Sequence, residues 1–194
     1  MHDIATSQIE FTRLPHPAPV PGASRDEAIA DPGFGKVFTD HMVTIDYTEG
    51  HGWHSATLGP RGPLSLDPAA SVLHYAQEIF EGLKAYKLED GAMALCRPEQ
   101  NAKRFNASAD RLAMPHLPED TFVEAIRQLV LADRDWFPAV EGGSLYIRPF
   151  MFASEAFLGV RPGTSRGPPA RVAGWPRRKC LPAGAASPAG RPRR

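Results

Sequence analysis

The sequence predicts an α+β domain with a mostly antiparallel sheet, two or three helices and disordered ends. Three observations carry that prediction. Two hairpin signals stand within the first hundred residues, and two later segments repeat apolar residues with the helical period. No regular strand–helix–strand alternation joins them, as a parallel sheet would require. With 194 residues the chain has room for one domain or two small ones.

Residues 1–33 form a flexible, loosely attached N-terminal arm in this reading. Pro15, Pro17, Pro19 and Pro21 recur every second position, which favours extended backbone and builds no core. A strand runs from Val37 to Tyr47, where Val43, Ile45 and Tyr47 alternate with Thr44, Asp46 and Thr48. Glu49-Gly50 turns the chain, and Trp53 to Leu58 pairs back as a hairpin.

Ala69 to Phe80 reads as a helix ended by Gly82. Two strands follow, Leu83–Leu88 and Ala92–Arg97, joined at Asp90-Gly91. Pro98 suits the first turn of a helix reaching about Ala113, with Ala102, Phe105, Ala109, Leu112 and Ala113 as its stripe. Pro118 opens the next helix, and Glu119 and Asp120 favour its positive end. Phe122, Ala125, Ile126, Leu129 and Val130 then fall on one face. Burying the four larger of these side chains contributes roughly 6–12 kcal/mol as an upper estimate. The run SLYIRPFMF reads as one strand, with Tyr146 and Arg148 on one face and Leu145 and Ile147 on the other.

Composition is that of a soluble globular protein, 42% apolar and 23% charged. The zero net charge conceals an asymmetry. Eight Lys or Arg and no acid lie between Arg166 and Arg194, leaving 14 bases against 22 acids before them, a net of −8. Cys96 and Cys180 form no paired motif and read as free thiols in a reducing compartment. The N-terminus lacks the basic and apolar runs of a signal peptide, and no window is apolar enough to span a membrane. A cytoplasmic protein is the expectation.

The candidate chemistry gathers around LHYAQEIFEGLKAY, Leu73–Tyr86. A phenol, an imidazole, two carboxylates (Glu78 and Glu81) and a glycine crowd together there, as in a pocket wall, although a plain core segment fits the periodicity too. Gly82 lets the backbone turn sharply or approach another group closely. Arg104, beside Asn101 and Asn106, carries a planar fork suited to phosphate or carboxylate, or it is a solvated helix arginine. Tyr146 and Arg148 could bind a substrate carboxylate in a cleft, or simply face solvent. The histidines show no metal-ligating spacing, and no nucleotide-binding or nucleophile-elbow motif is present.

Four segments occur in order: FGKVFTDHM (Phe34–Met42), LHYAQEIFEGLKAY, LCRPEQNAKRFNASADRL (Leu95–Leu112) and SLYIRPFMFASEAFLGV (Ser144–Val160). Together they resemble the N-terminal domain of branched-chain amino acid aminotransferases, fold-type IV pyridoxal 5′-phosphate enzymes. The resemblance covers about Phe34 to Arg161, within a small domain bounded at 34–164. It implies that Arg104 grips the cofactor phosphate and that Tyr146 and Arg148 receive substrate carboxylates. It makes Phe34 and Phe80 wall residues around a branched side chain. Tyr75, with Leu158, Gly159 and Val160, corresponds to elements reaching into a neighbouring subunit's pocket, as in a homodimer. The substrates implied are leucine, isoleucine or valine with 2-oxoglutarate, interconverted by ping-pong transfer of an amino group.

The same resemblance places the family's Schiff-base lysine in a C-terminal stretch like GGNYK. None of Lys36, Lys84, Lys87, Lys103 and Lys179 matches it, so no catalytic residue is assigned and the chain alone is expected to be inactive. Residues 165–194 break in composition, with Pro, Gly, Ala and basic residues dominating. They read as the out-of-frame or mispredicted end of a high-GC coding sequence. Two other readings stand beside this one. A dimerising module with a nucleic-acid-seeking basic tail is disfavoured because Trp175 is the tail's one aromatic. The other is a different fold-type IV enzyme, a D-amino-acid aminotransferase or aminodeoxychorismate lyase, which FEGLKAY and SLYIRP disfavour.

Overall fold

The computed structural model describes residues 9–32, 35–138 and 143–159. The expected tail, residues 165–194, lies outside them. Strand β1 (Thr12–Arg13) and helix α1 (Gly22–Ala30) precede a long hairpin, β2 (His41–Thr48) and β3 (Gly52–Pro60). Helix α2 (Ser71–Tyr75), β4 (Glu78–Phe80), β5 (Leu83–Lys87) and β6 (Met93–Leu95) follow. Helices α3 (Pro98–Arg111) and α4 (Glu119–Ala132) and strands β7 (Ser144–Ile147) and β8 (Phe150–Phe152) complete it. The strands form three small sheets ordered β1-β3-β2, β4-β8 and β6-β5-β7. All pairings are antiparallel except β1 with β3, so the predicted α+β class holds.

Alternation dictates which face of the hairpin is buried. Val43 and Ile45 are 3% and 0% exposed, and Ala56 and Leu58 meet them from β3. The two later predicted helices form. In α3, Ala102, Phe105 and Ala109 are buried, whereas Leu112 lies past the helix and is exposed. In α4, Phe122, Ala125, Ile126, Leu129 and Val130 are all buried. The two helices meet where the Phe105 and Phe122 rings lie 5.4 Å apart. Asp90-Gly91 makes its turn: Gly91 adopts φ +81° and donates to Leu88 O at 2.9 Å, while Leu88 donates to Ala92 O.

Four expectations are corrected. The helix predicted over Ala69–Phe80 ends at Tyr75, because Ala76 turns left-handed (φ 49°) and returns its N–H to Val72 O. Glu78–Phe80 then pairs with Phe150–Phe152, so a ladder displaces local helical preference. The single strand predicted for SLYIRPFMF breaks at Arg148-Pro149. Pro149 has no N–H for a ladder, and the halves pair with different partners, β7 with β5 and β8 with β4. The strand expected from Val37 begins at His41.

The fourth correction concerns the arm. Over residues 9–32 it is docked. Leu14 N donates to Leu58 O at 2.8 Å and Val20 N to Asp40 Oδ1 at 3.0 Å, while Ile9, Phe11, Ala28 and Ile29 pack on the core. Asp40 Oδ2 also accepts from the Trp136 indole at 2.9 Å. That contact is invisible to proline spacing.

Candidate functional site

Three consecutive residues, Phe80, Glu81 and Gly82, organise the site. They leave β4 and enter β5, and each holds one polar side chain brought from elsewhere. The corner is fixed by Glu81 N donating to Pro149 O at 2.8 Å.

Glu81 holds Arg104. The carboxylate is 9% exposed and accepts from Arg104 Nε at 3.0 Å and Nη2 at 2.9 Å. Asn101, one turn before Arg104 on α3 and itself buried, donates Nδ2 to Glu81 Oε2 at 2.8 Å and to Gly82 O at 3.3 Å. Gly82 N–H adds a further bond to Oε2 at 3.3 Å. Burial acts to raise the Glu81 carboxyl, but the bonds from Arg104, Asn101 and Gly82 outweigh it and hold the group below the ordinary glutamate range. The same carboxylate raises the Arg104 guanidinium. Arg104 remains 63% exposed, and no bond to its Nη1 is made among the described residues.

Gly82 accommodates Tyr146. A Cβ at Gly82 would overlap the Tyr146 hydroxyl and stand 2.9 Å from Cζ. Close approach, not an unusual φ, is therefore what requires glycine here. Phe80 in turn carries Arg148. The guanidinium lies 4.4 Å from the Phe80 ring centroid and 5.2 Å from that of Tyr146, and its Nε donates to Tyr146 Oη at 3.0 Å. Phe80 itself is 62% exposed.

Thus Phe80, Tyr146 and Arg148 meet in one cluster, with Arg104 attached through Glu81. Tyr75 and Leu158 meet in a second, where the Tyr75 hydroxyl donates to Leu158 O. Both are exposed, and Gly159 ends that described segment. Phe34 and Val160 lie outside the described residues. The sequence singles out Glu81 only as one acid in a crowded stretch and passes over Lys84. Lys84 stands directly opposite Tyr146 in the β5–β7 ladder, so it rises from the same face. Counting by twos from Gly82 would have found it. Among the described residues no cluster of three or more His, Cys, Asp or Glu could hold a metal, and no helix is long and apolar enough to cross a membrane.

Two cationic forks, a phenol and an exposed ring thus gather around one strand corner of an α+β fold. No family model matches the chain. Individual relatives do. It is 60% identical over 160 residues to a probable branched-chain-amino-acid aminotransferase of Streptomyces coelicolor, covering 82% of this chain and 44% of that protein. The branched-chain-amino-acid aminotransferase of Mycolicibacterium smegmatis is 55% identical over 155 residues, covering 79% and 42%. Among solved structures, a T.th. branched-chain amino acid aminotransferase with pyridoxamine 5′-phosphate matches with a TM-score of 0.51 at 25% identity, over 74% of this chain and 42% of that one. The Escherichia coli enzyme matches at 0.52 and 22%, over 71% and 41%. The chain belongs to the branched-chain-amino-acid aminotransferase family. It spans less than half the length of the curated relatives it matches.

Proposed function

We propose that this chain is the anion-recognising small domain of a branched-chain aminotransferase. In the complete enzyme, leucine, isoleucine or valine would give its amino group to 2-oxoglutarate, in a cytoplasmic homodimer serving branched-chain amino acid biosynthesis. The observation that carries the reading is the meeting of Phe80, Tyr146 and Arg148. The resemblance assigns these three positions, scattered over 69 residues, to the substrate, and they touch one another at the corner.

In this reading Arg148 and the Tyr146 hydroxyl bind a substrate carboxylate. A planar guanidinium preset by stacking loses less freedom on binding than a free one. Phe80 offers its exposed face to a branched side chain. Pyridoxal phosphate, when bound, supplies an aldehyde that carries the amino group and an electron sink. The Arg104 fork fits its phosphate, because Glu81 occupies the Nε–Nη2 edge and leaves Nη1 for a second anion. Phe34, Tyr75, Leu158, Gly159 and Val160 are assigned here by resemblance, to the substrate wall and to the neighbouring subunit's pocket.

The test is 2-oxoglutarate binding to the chain followed by NMR. Arg148→Ala should weaken binding about tenfold or more, as loss of a charge-assisted pair does. Equal binding by wild type and variant would remove Arg148 from the substrate site. The chain alone should not transaminate leucine, and borohydride should fix no pyridoxal phosphate onto a single lysine. Stoichiometric fixation would overturn that expectation.

A further inference from the structure

We infer that Glu81 is a positioning residue for phosphate binding: it clamps one edge of the Arg104 fork so that the other edge faces a phosphate monoester. This rests on the reading of Arg104 as the phosphate-gripping residue and adds a residue which that reading does not contain.

The argument begins with exposure. Arg104 projects from α3 with 63% of its side chain accessible, and a long side chain so placed samples many rotamers. Glu81 removes that freedom from a nearly buried position. Its Oε1 takes Arg104 Nε, and its Oε2 takes Arg104 Nη2, Asn101 Nδ2 and the Gly82 N–H. Asn101 is buried and also bonds Gly82 O, so the carboxylate cannot swing without breaking several contacts. Two parallel bonds fix the guanidinium plane as well as its place. Because the pair engages the Nε–Nη2 edge, the Nη1 hydrogens and one hydrogen of Nη2 point away from Glu81.

Electrostatics alone predicts the opposite of positioning. A carboxylate beside the arginine lowers the local positive potential, so removing its charge should tighten an anion's grip. Positioning predicts that removing it loosens the grip, because the fork is no longer held. The sign of one measurement separates the two.

The probe is pyridoxamine 5′-phosphate, which has the phosphate but no aldehyde to react with lysines. Its binding to the 194-residue chain would be followed by calorimetry and by the phosphorus resonance, for wild type, Glu81→Gln and Arg104→Ala. Glu81→Gln should raise the dissociation constant about tenfold, the scale of a lost charge-assisted pair. Unchanged or tighter binding by Glu81→Gln, with Arg104→Ala still abolishing it, overturns the role of Glu81 alone. A wild-type chain that does not bind, or an Arg104→Ala chain that binds equally, sinks the phosphate site and this role with it. Should Glu81→Gln fail to fold, the wild-type Arg104 Nε–H resonance, identified by its absence in Arg104→Ala, decides the matter. A resonance slow to exchange and dispersed from those of free arginines supports the clamp; one averaged like an exposed arginine overturns it.

Discussion

At Gly82 a single missing carbon sets the position of Tyr146. A methyl group there would push on the phenol ring, and the ring's neighbour is Arg148, bonded to its hydroxyl. Gly82→Ala should therefore destabilise the domain by roughly 1–3 kcal/mol, the range for overpacking, read as a lower urea midpoint. It should also weaken 2-oxoglutarate binding, since Arg148 loses its partner's geometry. Tyr146→Phe removes the nearest overlapping atom, so the double variant should recover part of the lost stability. The ring carbon 2.9 Å away keeps the recovery partial. Strict additivity would show that the two positions do not press on each other. The neighbouring Glu81 carries a pH signature. Its folded pKa lies below the ordinary value of 4.5. Its contribution is thus complete above the unfolded pKa and is lost as pH falls through the folded one. The stability difference between wild type and Glu81→Gln should narrow on acidification through that window; a constant difference would show that the carboxylate is not specifically held.

At the scale of elements, helices α3 and α4 were legible, whereas α1, the end of α2 and the strand corner were not. In α4 the apolar spacing alone named every large residue that became buried, because a helix shows its buried face within its own sequence. Phe122 is 1% exposed and faces Phe105, so Phe122→Ala should cost about 3–5 kcal/mol in denaturant unfolding. In β4 the deciding partner is β8, far along the chain, and no local signal encodes that pairing. The candidate site follows the same division. Arginine, tyrosine and phenylalanine were recognisable as residue types, while the carboxylate that fixes Arg104 came into view only once α3 lay beside the corner. The end of α2 offers a stabilising change. Ala76 occupies a left-handed position that glycine adopts without steric penalty. Ala76→Gly relieves roughly 1–2 kcal/mol of left-handed strain against roughly 0.5–1 kcal/mol of glycine entropy, so it should raise stability by about 0.5–1 kcal/mol net, or a few degrees in melting temperature. A fall would show that the alanine methyl makes contacts worth more than the strain.

At the scale of the whole molecule, the exposed apolar residues around α2 carry the last prediction. The segment after β8 is laced to this helix. Ser71 N donates to Glu155 O at 2.9 Å, Val72 N to Ala153 O at 3.0 Å, and Phe157 N to Ala69 O at 3.1 Å. Tyr75 and Leu158 close the unit through their hydrogen bond. On this braced platform Leu73 and Leu158 are each 58% exposed and Tyr75 is 46% exposed. Apolar groups held out on a rigid support, instead of folded inward, are the surface expected of a contact between molecules. The chain should therefore associate as its concentration rises, and sedimentation velocity should show the mean mass increasing. Leu73→Ser with Leu158→Ser should shift the population towards monomer, because neither side chain is buried and the fold does not depend on them. Pyridoxamine 5′-phosphate binding at Arg104 should persist in that variant, since the clamp on Arg104 involves neither leucine. A variant that associates as strongly as wild type would place the contact on a different face, and a wild-type chain that stays monomeric at high concentration would leave this platform without a partner in its own kind.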